Sequence, residues 1–153
     1  MEYLYEYQNW NFFENEFFRI AYHNKWQLIN PEIPIVKYQC VSGEDEDYFL
    51  STTVEVIELE EELKLNEQKE NLRKHLSKFI FGLNDLHIEE LEGNCNGLKV
   101  EFNGVMENEK VKYIMYQWFI GGIGITITFS MDYDSQDITK SLTDLIIRLF
   151  KIK

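Results

Sequence analysis

Over 153 residues the chain has two cysteines, two prolines and eight glycines, and only three arginines against twelve lysines. Two thiols in a chain of this length form no disulfide framework. Cys40 and Cys95 also have no histidine at metal-ligand spacing, so both read as reduced, buried thiols. The scarcity of proline and glycine argues against long disordered linkers. No apolar run approaches the roughly 20 residues that cross a bilayer, and the opening residues lack the basic, apolar and small-residue succession of a secretion signal. The expectation is a cytoplasmic protein. Positive charge is scarce too: Asp and Glu outnumber Lys and Arg 27 to 15, for a net charge of -12. Nucleic acid is bound by clustered cations that displace counterions from phosphate, so this balance argues against it, and against an anionic membrane surface. Lysine in excess of arginine, with frequent asparagine, suggests an AT-rich bacterial genome.

What is present is a core. Hydrophobic residues make up 44% and aromatics 15% of the chain, enough for one domain over 1–153 without metal or disulfides. Two stretches share one apolar spacing: Leu72, Leu76, Phe79, Ile80 and Leu83, and then Ile138, Leu142, Leu145, Ile146 and Leu149. Offsets of four, seven, eight and eleven lie along one stripe of a 3.6-residue helix, which predicts two one-faced amphipathic helices. The first starts near Asn66 and stops near Gly82 or Asn84. The second is capped by Ser135 or Asp137 and runs to about Phe150.

Strand-like runs supply the surface that these helices cover. They are Phe17–Tyr22, Trp26–Ile29, Val36–Val41, Phe49–Leu59, Ile88–Glu92, Gly97–Asn103, Lys110–Ile120 and Gly124–Ser130, with Pro31 and Pro34 interrupting the second connection. Turns are expected at Asn103-Gly104 and across Gly121–Gly124. Residues 1–16, with Tyr3, Tyr5, Tyr7, Trp10, Phe12 and Phe13, read as an aromatic segment packed on the core. Strands joined by short turns pair antiparallel. The predicted fold class is therefore α+β: an antiparallel sheet of about six to seven strands sandwiched between two amphipathic helices. The Thr and Ser face of the last strand argues against complete coverage.

The order of elements resembles the PsbP-like fold, shared by the extrinsic photosystem II protein, a Ran-binding nuclear transport factor and bacterial DcrB-type domains. Phe18-Arg19-Ile20-Ala21-Tyr22 leading to Lys25-Trp26 is similar to the family's opening strand and tryptophan. His23 and Asn24 stand where a proline would follow the tyrosine. Ile125–Ser130, a polar loop and a closing helix that finishes Leu149-Phe150-Lys151-Ile152 resemble the family's last strand and helix. The resemblance runs from Phe17 onward. It implies a non-enzymatic binding or adaptor domain, since members of the family mostly act through protein contacts and some bacterial relatives chaperone secreted toxins, and it transfers no active-site residue.

Charge placement supplies the candidate site. From Ser42 to Glu62 there are nine acidic residues and no basic one. Glu44, Asp45, Glu46, Asp47, Glu58, Glu60, Glu61 and Glu62 are the expected partner-binding residues, and such a field steers a basic protein surface toward its dock. No catalytic residue, cofactor site or metal site is assigned. Asp132, Asp134 and Asp137 lack the glycine and the closing glutamate of a calcium loop. His23, His75 and His87 have no short-range partners at ligand spacing. The expected function is a bacterial protein-interaction domain, of which a chaperone or immunity-type partner of a secreted protein is the specific form, with room for a homodimer. The rival is a small-ligand carrier or enzyme with a pocket between sheet and helix lined by Tyr113, Tyr116 and Trp118.

Overall fold

The computed structural model describes residues 9–93 and 96–153. The start of the expected aromatic segment, with Tyr3, Tyr5 and Tyr7, and the thiol of Cys95 lie outside them. Ten strands are described: β1 (Trp10–Glu14), β2 (Phe18–His23), β3 (Gln27–Leu28), β4 (Val36–Val41), β5 (Leu50–Glu58), β6 (Asn84–Glu90), β7 (Gly97–Met106), β8 (Glu109–Ile120), β9 (Ile123–Asp132) and β10 (Lys151–Ile152). The helices are α1 (Leu65–Phe79) and α2 (Gln136–Leu149), the second entered through a 3-10 turn at Tyr133–Ser135.

Seven strands form one antiparallel sheet in the order β3-β4-β5-β9-β8-β7-β6, and β1, β2 and β10 form a second, smaller sheet. Sequence patterning did not reveal this division, because the alternation of Phe18, Ile20 and Tyr22 marks a strand and not the sheet it joins. The expected aromatic segment is in part a strand: β1 pairs with β2 over Trp10 to Glu14, and Lys151 and Ile152 close the other edge of β2.

Register assigns the faces, because residues directly opposite in neighbouring strands point the same way. Val54 lies opposite Ile127 and Ile127 opposite Tyr116, which defines one face. Leu98 lies opposite Gln117 and Val100 opposite Met115, which places these on the other. The first face meets Leu142, Leu145 and Ile146 of α2 together with Phe18, Ile20 and Ala21 of the small sheet. The second meets Leu72 and Leu76 of α1 over Leu98, Val100 and Phe102. Among the described residues, one face is thus covered by a helix and a sheet, the other by a single helix.

Four sequence expectations are corrected locally. Asn103 and Gly104 do not turn. They lie inside β7, and the hairpin to β8 is made by Glu107 and Asn108 at φ 51° and 66°. Gly104 is needed for space, since a Cβ there would lie 2.7 Å from Ile80 Cγ2. Asn103 is buried because its Nδ2 donates to Asn84 Oδ1 at 3.2 Å and Asp85 Oδ2 at 3.1 Å, pinning the start of β6. Phe79, counted in the first stripe, is 71% exposed because α1 ends there, beyond the sheet residues that cover Leu72 and Leu76, and Ile138 is 52% exposed in the first turn of α2. Finally, the residues that precede the helices, Lys64 and Ser135, make no side-chain capping bond.

Candidate functional site

The acidic residues singled out from the sequence do not form one surface. Glu44, Asp45, Glu46 and Asp47 occupy the loop before β5, whereas Glu58 ends that strand and Glu60, Glu61 and Glu62 lead on to α1. The nine residues of β5, the last of them Glu58, span roughly 30 Å at 3.3–3.4 Å per residue and separate the groups. A linear count of charge cannot register this, because a strand carries its two ends to opposite edges of a sheet.

The first group gains partners from elsewhere. Met131 of β9 is opposite both Leu50 of β5 and Lys112 of β8, and Met106 of β7 is opposite Glu109. The β4–β5 loop, the β7–β8 hairpin and the end of β9 therefore meet at one end of the sheet. The loop is held by Ser42, whose Oγ accepts from the Leu50 amide at 3.0 Å and donates to the Tyr48 carbonyl at 3.2 Å. Two adjoining cavities open at this end. One, of about 420 Å³, has walls that include Phe49, Met106, Glu107 and Val111. The other, of about 500 Å³, includes Asp47, Lys110, Tyr133 and Asp134, and Glu109 and Asp132 line both. Phe49 and Met106 are 42% and 54% exposed, so apolar surface lies among the carboxylates. Lys110 holds its Nζ 5.3 Å from the Tyr133 ring centroid, a cation–π contact. Such a surface can attract a cation that carries an apolar body, such as a lysine or arginine stem.

Glu107, Glu109, Asp132 and Asp134 were not assigned to partner binding from the sequence. The available signal was the Glu107-Asn108 pair, whose left-handed conformations make the hairpin that brings these acids to the loop. Among the described residues, no group of three or more His, Cys, Asp or Glu could hold a metal ion.

The aromatic rival pocket is not assembled. Tyr116 and Trp118 stack on each other at 5.9 Å, and Trp118 on Phe150 at 5.2 Å, on the α2 side of the sheet. Tyr113 points the other way and stacks on Phe102 at 4.9 Å. Cys40 is buried, and burial pushes its thiol up, so it is a poor nucleophile. His23 packs edge-on against Trp10, and His75 lies 4.7 Å from the Phe79 ring. On the α2 side a half-buried ionic group joins β7 to β8: Lys99 Nζ reaches Glu101 Oε1 at 3.1 Å and Lys112 Nζ reaches Glu101 Oε2 at 3.4 Å. Burial acts to raise the Glu101 carboxyl, but the two ammonium groups outweigh it and hold it below its ordinary value.

Among the described residues, these elements make an α+β protein with a seven-stranded antiparallel sheet, a smaller three-stranded one and two helices. Its fold is PsbP-like. The solution structure of cyanobacterial PsbP (CyanoP) from Synechocystis sp. PCC 6803 superposes with a TM-score of 0.70 at 16% identity, over 95% of this chain and 93% of that one. LpqN of Mycobacterium tuberculosis, described as involved in cell envelope biogenesis, gives 0.65 at 11% identity over 89% and 83%. PA94 of Pseudomonas aeruginosa, a protein of unknown function described as a putative regulator, gives 0.59 at 6% over 81% and 94%. No family model and no curated protein matches the chain. No helix is long and apolar enough to cross a membrane among the described residues.

Proposed function

We propose that the chain is a bacterial, non-enzymatic protein-interaction domain, its sheet sandwiched between two helices, that docks a basic protein partner at the acidic end of the large sheet. A chaperone or immunity-type partner of a secreted protein is the specific form of this reading. One observation carries it: three separate connections bring Asp47, Glu107, Glu109, Asp132 and Asp134 around two adjoining cavities with Phe49 and Met106 exposed beside them. The carboxylates give this end a negative field, while Phe49 and Met106 offer apolar contact area, a pairing suited to rapid, charge-steered association.

The test is capture from cytoplasmic and envelope fractions of the chain's own cells, at low salt and at about 0.5 M salt, where exposed charges are screened beyond about 4 Å. The wild-type chain should retain a partner at low salt and release it at high salt. Asp47→Asn with Glu107→Gln, Glu109→Gln and Asp132→Asn should lose most of the capture. Retention by this variant equal to wild type would remove the electrostatic dock.

A further inference from the structure

Among the described residues, the face of the large sheet that carries α1 is only half covered. Beside the helix lies a strip made by β9, β5 and β4, with Thr126, Thr128 and Ser130 on one strand and Ser51, Thr53, Glu55 and Ile57 on the next. All of these side chains are half-buried or exposed. We propose that this strip seats a single α-helix of the partner protein, about 20 residues long, with Lys or Arg near both of its ends. The inference rests on the protein-interaction reading above and names the element that fills the site.

Shape and hydrogen bonding select a helix. Three strands about 4.8 Å apart make a floor roughly 14 Å wide where β4 pairs with Ser51 to Glu55, and β5 with β9 carries it on to a length of roughly 30 Å. A helix with side chains is about 10–12 Å across and advances 1.5 Å per residue, so about 20 residues fill the strip. The ladders of β9, β5 and β4 use the sheet's backbone groups among themselves, so the face offers only side chains and its occupant must satisfy its own backbone. α1 already lies on this face in that manner. Gln68 of α1 reaches Gln117 of β8 at 3.1 Å, whereas Lys69 reaches Glu90 of β6, which identifies the flank turned toward the strip. His75 and Phe79 continue that flank at seven- and four-residue spacing, with their rings in contact and Phe79 exposed. A second helix would find Phe79 as its wall.

Charge selects the helix's chemistry. The strip runs from Glu107, Glu109 and Asp132 at one end to the β5–α1 connection with Glu60, Glu61 and Glu62 at the other, with the hydroxyl groups of Ser51, Thr53, Thr126, Thr128 and Ser130, and then Glu55 and Ile57, between. The two acidic groups that β5 separates thus bracket one open surface. A second copy of this chain would set acidic rims against each other, and an anionic bilayer would meet the same repulsion.

The experiment uses the full chain and two labelled alanine-rich helical peptides of about 20 residues and equal net charge. One carries two lysines at each end, the other four lysines at one end, and binding is read by fluorescence anisotropy. The two-ended peptide should bind at least fivefold tighter. Thr53→Arg with Thr128→Arg should abolish that preference, and so should Glu60→Gln with Glu61→Gln and Glu62→Gln. Thermal melts check that each variant folds, and Thr128→Lys alone carries the comparison if the double variant melts early. Equal affinities, no binding by either peptide, a preference that survives the arginines, or dimerisation of the chain through the strip would each overturn the proposal. The acidic dock is judged separately, by capture with the Asp47, Glu107, Glu109 and Asp132 variant.

Discussion

Leu76 and Phe79 belong to the same apolar stripe of the sequence, yet replacing them should have opposite consequences. Leu76 is 8% exposed and packs with Leu98, Val100 and Phe102. Leu76→Ala removes three carbons, at about 0.8 kcal/mol each, and adds a cavity that the strands beneath cannot fill, so the expected cost is about 3 kcal/mol. For a chain of this size that corresponds to a melting point lower by about 6–12 °C. Phe79 is 71% exposed at the last turn of α1. Phe79→Ser should therefore change stability by about 0.5 kcal/mol or less. Urea unfolding followed by circular dichroism distinguishes the two, since Leu76→Ala should move the midpoint without changing the slope. A Phe79→Ser cost above half that of Leu76→Ala would show that the ring is core, and would refute both the account of where α1 ends and the wall it offers to a second helix.

Three further outcomes follow from particular contacts. Gly104→Val should destabilise by about 1–3 kcal/mol because the new side chain collides with Ile80 and Tyr113, and a shift in urea midpoint near zero would contradict the close approach of α1 to β7. Glu101 is held below its ordinary value of 4.5 in the fold and returns to it on unfolding, so as pH falls the unfolded chain takes up the proton first. The stability it contributes is present above about pH 4.5 and disappears below it; Glu101→Gln should flatten the acid limb of a stability profile, and an unchanged limb would count against the ionic group. Cys40 is 1% exposed with its thiol raised by burial, so in a Cys95→Ser background it should react with a thiol reagent only at the rate of unfolding, and immediate labelling of the native protein would show it to be accessible.

Much of the architecture could be read from local pattern. The alternation of Leu50 with the β-branched Thr52, Val54 and Val56 announces a strand with one buried face, and those four residues are buried. Leu142, Leu145 and Ile146 announce a helix that buries that stripe, and they do. Gly121 and Gly122 turn at φ 57° and 81°. Asn103-Gly104 misled because its composition suits a hairpin turn equally well. Only the helix passing overhead shows that its glycine is there for clearance and its asparagine to hold β6. The candidate site was half visible. Asp47 could be named from its acidic run, but Glu109 and Asp132, far along the chain, reach it through strand pairing alone.

The sequence by itself determined the elements, their polar and apolar faces and the excess of negative charge, because each is a property of residues within a few positions of one another. Tertiary structure alone decided that the first and last strands leave the main sheet to form a second one. It also split one acidic run between two ends of a strand while gathering acids from three loops, and among the described residues it left half of one sheet face without a helix. Those outcomes depend on pairing register and on which element covers which face. Both are settled by contacts between residues distant in the chain, and no local periodicity carries that information.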